Sequence, residues 1–331
     1  MIRSMAVIGT GLIGTSVALA ASRRGLTVYL ADRDESAAAA AAARGAGRAE
    51  PPPGPVDLAV LAVPPSQVGP VLADRQAKGL ALSYTDVASV KSEPERQVLD
   101  RAPEPSTFVG GHPLAGGERS GPLAASADLF AGRAWVLTPS PLTSEPALER
   151  GLELVDLCGA VPLVMPSRAH DEVVALTSHL PHVVASLLAA RLLDGPEETP
   201  LLAGRGLDDV TRIAGGSSLL WSDILRANAA PVARILNDLQ ADITGLLAAL
   251  DDLALTGDRS GAQSMRTVMD LLDRGIAGRA RIRAGEDEPH GPGTAAAHKT
   301  AQGPAHKTAH ETAHDAADGV RHEPQQQEVM P

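Results

Sequence analysis

The run Gly9-Thr10-Gly11-Leu12-Ile13-Gly14 stands directly after the apolar segment Met5–Ile8 and directly before a helix-compatible stretch. Few folds are open to a chain that begins this way. The first glycine permits a tight turn, the second lets a pyrophosphate approach the backbone, and the third lets a helix pack closely on the strand it left. Phosphates then rest on the free N–H groups and positive dipole end of that helix. Asp32 closes the next apolar run, 18 residues beyond Gly14, where a carboxylate accepts hydrogen bonds from the adenosine ribose hydroxyls. An ordinary strand–helix turn could share the glycines without needing the acid in that register. Gly9, Gly11, Leu12, Ile13, Gly14 and Asp32 are therefore the expected cofactor contacts. The acid would repel a 2′-phosphate and favours NAD over NADP, although Arg33 beside it is a side chain that could accommodate one.

Two periodicities divide the rest. Up to residue 166, short apolar runs (Thr27–Ala31, Asp57–Val63, Leu80–Val87, Thr107–Gly110, Ala134–Leu137, Ala160–Val164) alternate with helical stretches at Leu12–Arg24, Asp34–Arg44, Pro65–Arg75 and Glu145–Cys158. Consecutive apolar positions separated by helices predict a parallel sheet covered on both faces, an α/β fold of Rossmann type. Val63-Pro64 ends the third strand, where the chain would leave the sheet beside the nicotinamide ribose. From residue 167 to 284 strand signals vanish. Asp171–Leu193, Val232–Leu253 and Met265–Ile276 carry apolar residues at spacings of three and four, and each predicted helix needs a partner surface for its stripe. Residues 285–331 hold Ala, His, Gly, Pro, Gln and Thr with few branched aliphatics, and read as a disordered tail.

Composition removes several functions. A formal charge of −11 has the wrong sign for a nucleic-acid binder, and two each of Phe, Trp and Tyr leave little for base stacking. The single Cys158 excludes an internal disulfide and fits a reducing cytoplasm. No window offers the roughly 18 uninterrupted apolar residues of a membrane span. Met5–Ala21 imitates a signal peptide, but its glycines are in register and its Arg23-Arg24 pair comes last.

Three clusters remain. Asp86-Val87-Ala88-Ser89-Val90-Lys91 and Gly110-Gly111-His112-Pro113 fall at strand ends, where such sheets bind ligands. A histidine between a diglycine and a proline, with open space around it, suits proton removal from an alcohol during hydride loss. Thr177-Ser178-His179-Leu180-Pro181-His182 lies in the first long helix of the second half. There Ser178 and His182 share an α-helical face, His179 points away, and Pro181 removes one helical hydrogen bond. Two histidines without a third ligand at suitable spacing do not make a zinc site, and no metal is expected. Asp208-Asp209-Val210-Thr211-Arg212 offers either a surface ion pair or a guanidinium oriented to clamp a carboxylate. Trp221 is either core or pocket wall.

Taken in this order, Gly9–Gly14, the Ser89 segment, His112-Pro-Leu-Ala-Gly-Gly, Ser178-His-Leu-Pro-His182 and Thr211-Arg-Ile-Ala resemble the prephenate/arogenate dehydrogenases of tyrosine biosynthesis over residues 4–280. The resemblance implies a nucleotide domain and a helical domain that forms a homodimer. It implies that His112 takes the proton of the substrate's C4 hydroxyl, with Ser89 orienting that histidine and touching the nicotinamide. Arg212 would clamp a substrate carboxylate, and Ser178, His182 and Trp221 would line the pocket. Two rivals share parts of the pattern. Hydroxyacid dehydrogenases of the 3-hydroxyacid or 6-phosphogluconate type rely on a lysine that Ala175–Ala190 lacks, and a non-catalytic NAD sensor would need only the glycine turn and Asp32.

Overall fold

The computed structural model describes residues 1–117, 119–256 and 261–287. Strands β1 (Ser4–Ile8), β2 (Thr27–Ala31), β3 (Leu58–Leu61), β4 (Tyr84–Asp86), β5 (Phe108–Pro113), β6 (Ala134–Thr138) and β7 (Val161–Val164) form one sheet in the order β2-β1-β3-β4-β5-β6-β7. Helices α1 (Leu12–Arg23), α2 (Glu35–Ala43), α3 (Val68–Ala77), α4 (Ser92–Arg101) and α5 (Glu145–Leu157) connect them. Side-chain alternation in β1 shows why its apolar run is continuous. Met5 and Val7 enter a core with Val17 and Ala21 of α1 and Leu154 of α5. Ala6 and Ile8 enter the opposite one, with Val68 and Leu72 of α3 and Val98 of α4. The segment that imitates a signal peptide is thus β1 and α1, packed at the centre of the domain.

Two local expectations change. The sheet is not parallel throughout, because β6 runs antiparallel to β5, and β7 follows β6 in parallel. The connection after β5 stays at the edge it reached. Ser126 donates its N–H to Ser16 Oγ of α1, and Arg44 donates to the carbonyls of Pro122, Leu123 and Ala125. A strand entering from that edge must run back across the sheet. The helix α4 was not foreseen. Half of its residues are charged, and only Pro94, Gln97 and Val98 are buried.

The remaining elements are α6 (Ser167–Val174), a π turn (Ala175–His179), α7 (Leu180–Arg191), α8 (Thr199–Leu202), α9 (Arg205–Thr211), α10 (Ser218–Ala227), α11 (Ala229–Thr256) and α12 (Ala262–Asp287). The last helix passes the expected boundary at 284, and the tail expected from 285 lies outside the described residues after Asp287. Met1–Asp287 packs as one compact unit. Carboxylates of the helical half dock onto the sheet half. Asp171 of α6 accepts the N–H groups of Lys91 and Ser92 at 2.8 Å each, capping α4. Asp223 of α10 accepts the Ser66 N–H at 3.2 Å in the turn leading to α3.

The continuous helical run Ser167–Asp194 is long and apolar enough, by length and composition alone, to cross a membrane. It also buries His170, Asp171, His179 and His182 inside the protein. Many of its apolar side chains, among them Val173, Leu176, Leu187 and Leu188, are exposed on the single chain.

Candidate active site

The glycine turn divides its labour as its spacing implies. Gly9 has φ +98°, and a Cβ there would lie 2.1 Å from the Ala62 carbonyl oxygen; one on Gly14 would lie 1.9 Å from that of Gly9. Only hydrogen fits at either position. A Cβ on Gly11 would meet nothing within 4 Å, so this is where a ligand can approach the backbone. Leu12 and Ile13 open α1 above it. Asp32 is half-buried and already ordered. Its Oδ2 accepts the Thr10 N–H at 2.5 Å and hydroxyl at 2.9 Å, and its Oδ1 accepts the Asp34 N–H at 2.9 Å. Thr10, fully buried, is a positioning residue that sequence reasoning passed over. Arg33 is exposed beside it, and Val63 and Pro64 follow β3. The chain leaves β1 toward β2 on one side and returns to β3 on the other, which opens the crevice where such sheets bind dinucleotides. The residues present fit a dinucleotide.

His112 falls at the strand end as expected, but the strand runs on past Gly110 to Pro113, so His112 lies within β5, opposite Val136. It is half-buried rather than surrounded by open space. Its Nδ1 lies 2.8 Å from His170 Nε2, and His170 Nδ1 lies 2.8 Å from Asp171 Oδ1. Ser89 sits half-buried in the loop from β4 to α4. Burial, reinforced by His170, Lys91 and His179, holds the His112 pKa well below the ordinary histidine value. The ring is therefore neutral at pH 7 and able to take a proton.

Beneath it lies a buried ion pair. Lys91, 1% exposed, bonds the Asp86 carboxylate and the Gly111 carbonyl. Asp86 also accepts the N–H groups of Gly111 (2.9 Å) and Ala88 (3.1 Å). These contacts pin the strand segment that carries His112. Burial draws the Lys91 pKa below its ordinary value, against the opposing pull of Asp86 and Asp171.

The second wall comes from the helical half, and the π turn rearranges it. The α-helical spacing that put Ser178 with His182 and turned His179 away does not apply. Ser178 is exposed, whereas His179 and His182 are both buried. Pro181, the second residue of α7, lies inside the continuous run Ser167–Asp194 and lacks the N–H for one helical hydrogen bond directly after the π turn. His179 Nδ1 lies 3.0 Å from Asn228 Nδ2, which also donates to the Asp171 carbonyl. Burial pushes the His179 pKa down to about 4, so it too is neutral. Trp221 is half-buried and stacked on His182, with ring centroids 3.5 Å apart and planes 8° from parallel. The stack needs Gly216, where a Cβ would lie 2.5 Å from Trp221 Nε1. His182 also bonds the Ile213 backbone, and its Nδ1 is buried without a partner among the described residues. Arg212 is exposed at the head of the turn Arg212–Gly215, one residue before Ile213. His112 and His170 form one ring pair and His179, Trp221 and His182 a second group, with Asn228 joining the Asp171 carbonyl to His179 and the Arg212–Gly215 turn against His182.

Comparison with known proteins gives a consistent result. Family profiles described as "Prephenate dehydrogenase, nucleotide-binding domain" and "Prephenate dehydrogenase, dimerization domain" match residues 17–164 and 166–259. The chain is 43% identical over 281 residues to "Probable prephenate dehydrogenase NovF" of Streptomyces niveus, covering 85% of this chain and 77% of that one. It is 33% identical over 262 residues to the cyclohexadienyl dehydrogenase of Zymomonas mobilis subsp. mobilis, covering 75% and 88%. The solved prephenate dehydrogenase of A. aeolicus, in complex with hydroxyphenyl propionate and NAD+, superposes with a TM-score of 0.72 at 25% identity, covering 85% of this chain and 99% of that one. Synechocystis arogenate dehydrogenase gives 0.66 at 25%, covering 84% and 99%.

Proposed function

The chain belongs to the prephenate dehydrogenase family, NAD-dependent oxidoreductases of tyrosine biosynthesis, and we propose that it oxidises prephenate or arogenate with His112 as the base. The observation that carries this assignment is the neutral imidazole of His112, presented by β5 at the sheet edge that holds the glycine turn and backed by His170 of the helical half.

Prephenate is a cyclohexadienol with a ring carboxylate and a pyruvyl side chain; arogenate carries an amino group in place of the keto group. Bound NAD supplies the hydride acceptor. Gly11, Leu12 and Ile13 would hold its pyrophosphate and Asp32 its adenosine ribose, and Val63, Pro64 and Ser89 would flank the nicotinamide end. His112 takes the C4 hydroxyl proton as the C4 hydride departs. Loss of the ring carboxylate as CO2 then makes the ring aromatic, and the proton held by His112 returns to the phenolate oxygen. Arg212 clamps a substrate carboxylate, as a fork of donors suits. His182 offers its unpartnered Nδ1, Trp221 walls the pocket, and Ser178 lines its rim. The chain's part is alignment, one proton acceptor and anion binding.

The helical half also supplies the dimer. Ile243, Leu247 and Leu250 of α11 and Met269, Leu272 and Ile276 of α12 are exposed on a single chain, and a second copy would cover them. We place the enzyme in the cytoplasm, where its lone buried thiol, Cys158, stays reduced.

The test is a side-by-side assay of the purified full chain with prephenate and arogenate, each with NAD and NADP. Cofactor reduction with at least one cyclohexadienyl substrate and NAD is expected. Silence with both, together with turnover of simple hydroxyacids, would overturn the assignment.

A further inference from the structure

We propose that His170, backed by Asp171, is a positioning residue that fixes the tautomer of His112 and leaves the lone pair on Nε2 free for the reacting hydroxyl. This inference rests on the reading of His112 as the base. It follows from counting protons along three side chains.

Asp171 can only accept. Burial alone would raise its pKa, but hydrogen bonds from His170, Ser92 and Lys91 outweigh it and keep the carboxylate ionised. The proton between Asp171 Oδ1 and His170 therefore sits on His170 Nδ1. A neutral imidazole with Nδ1–H has a bare Nε2, which accepts. At 2.8 Å from that nitrogen, His112 Nδ1 must be the donor. His112 then carries its proton on Nδ1, and its Nε2 is unprotonated. The His170 ring is 1% exposed and is held between the Asp171 carboxylate and His112. Asp171 is itself fixed by the two N–H groups at the start of α4, so the alignment derives from the docking of α6 on the sheet half.

The same arrangement serves the next step. When His112 has taken the hydroxyl proton on Nε2, its Nδ1–H still donates to His170, and the Asp171 carboxylate lies one ring away to balance the new positive charge. No proton need leave His112 toward His170.

The test uses the full chain with NAD bound and its histidines labelled with 15N, the His112 signals being those lost in His112→Gln. At neutral pH the parent should show a protonated Nδ1 and an unprotonated Nε2 on His112; the opposite tautomer would overturn the proposal. In kinetics, His170→Leu should lower kcat at least about tenfold, part of the ~10²–10⁴ a general base contributes. KM for substrate and NAD should stay within about twofold. His170→Gln, whose amide oxygen can still accept from Nδ1, should recover most of the loss. Unchanged kcat in His170→Leu would also overturn the proposal, and should that variant not fold, the parent spectrum and His170→Gln decide. A parent inactive on both cyclohexadienyl substrates would defeat the functional assignment while leaving the tautomer measurement standing.

Discussion

Replacing Lys91 with methionine removes a positive charge from beneath His112 while keeping most of the side-chain volume. In the parent, the ammonium bonds a carboxylate and a carbonyl in a site closed to water. After the change, Asp86 keeps two N–H donors, from Gly111 and Ala88, but loses its countercharge. Breaking a buried pair by deleting one partner costs about 3–5 kcal/mol. The two retained donors place this case near the lower end, at about 3 kcal/mol. Urea unfolding of Lys91→Met against the parent measures it, and adding Asp86→Asn should return part of the loss, because the unpaired charge is then gone. Activity gives a second reading. Lys91 is one of the charges that keep His112 deprotonated, so its removal should move the acid limb of the kcat/KM profile to higher pH. A loss below about 1 kcal/mol, or an acid limb that stays put or moves to lower pH, would refute this view of the pair.

The pH dependence of the parent follows from the same environment. A base must be neutral to act, and burial holds the His112 pKa well below 6.5, so kcat/KM should be flat from about pH 7 to 8 and fall only on the acid side of the ordinary histidine range; a limb centred at pH 7 or above would contradict it. At the glycine turn, Gly11→Ala meets no protein atom and should leave the unfolding midpoint unchanged while weakening NAD binding measured by calorimetry. Gly14→Ala forces a Cβ to within 1.9 Å of the Gly9 carbonyl and should lower stability and NAD binding together.

The parts of this molecule that the sequence made legible are those whose requirements are local. Gly14 meets the Gly9 carbonyl five residues back, Gly9 meets the Ala62 carbonyl just past the adjoining strand, Gly11 faces open space, and Asp32 has a fixed place one strand later. Strands such as β1 and β3 could be read because burial on both faces leaves their apolar runs unbroken. The direction of β6 could not, since it depends on where the long connection after β5 is tied down by Ser16 and Arg44. Charged α4 has no apolar stripe to announce it. At the site, His112 was identifiable from its glycine and proline neighbours, whereas adjacent His170 and Asp171 carry no spacing signature. Their work depends on α6 docking beside β5. The π turn likewise reversed Ser178 and His179, because a wider turn shifts which residues share a face. Lys91 stood in the quoted strand-end segment, but only the fold gives it Gly111 and Asp86 as partners.

The most direct measurement is turnover by His112→Asn with prephenate and arogenate, alongside its affinity for NAD. With the glycine turn and Asp32 untouched, NAD should bind within about twofold of the parent while kcat drops by about 10²–10⁴, the share of a general base. Parental turnover in this variant would mean that the proton goes elsewhere and that the ring in β5 is only part of the scaffold.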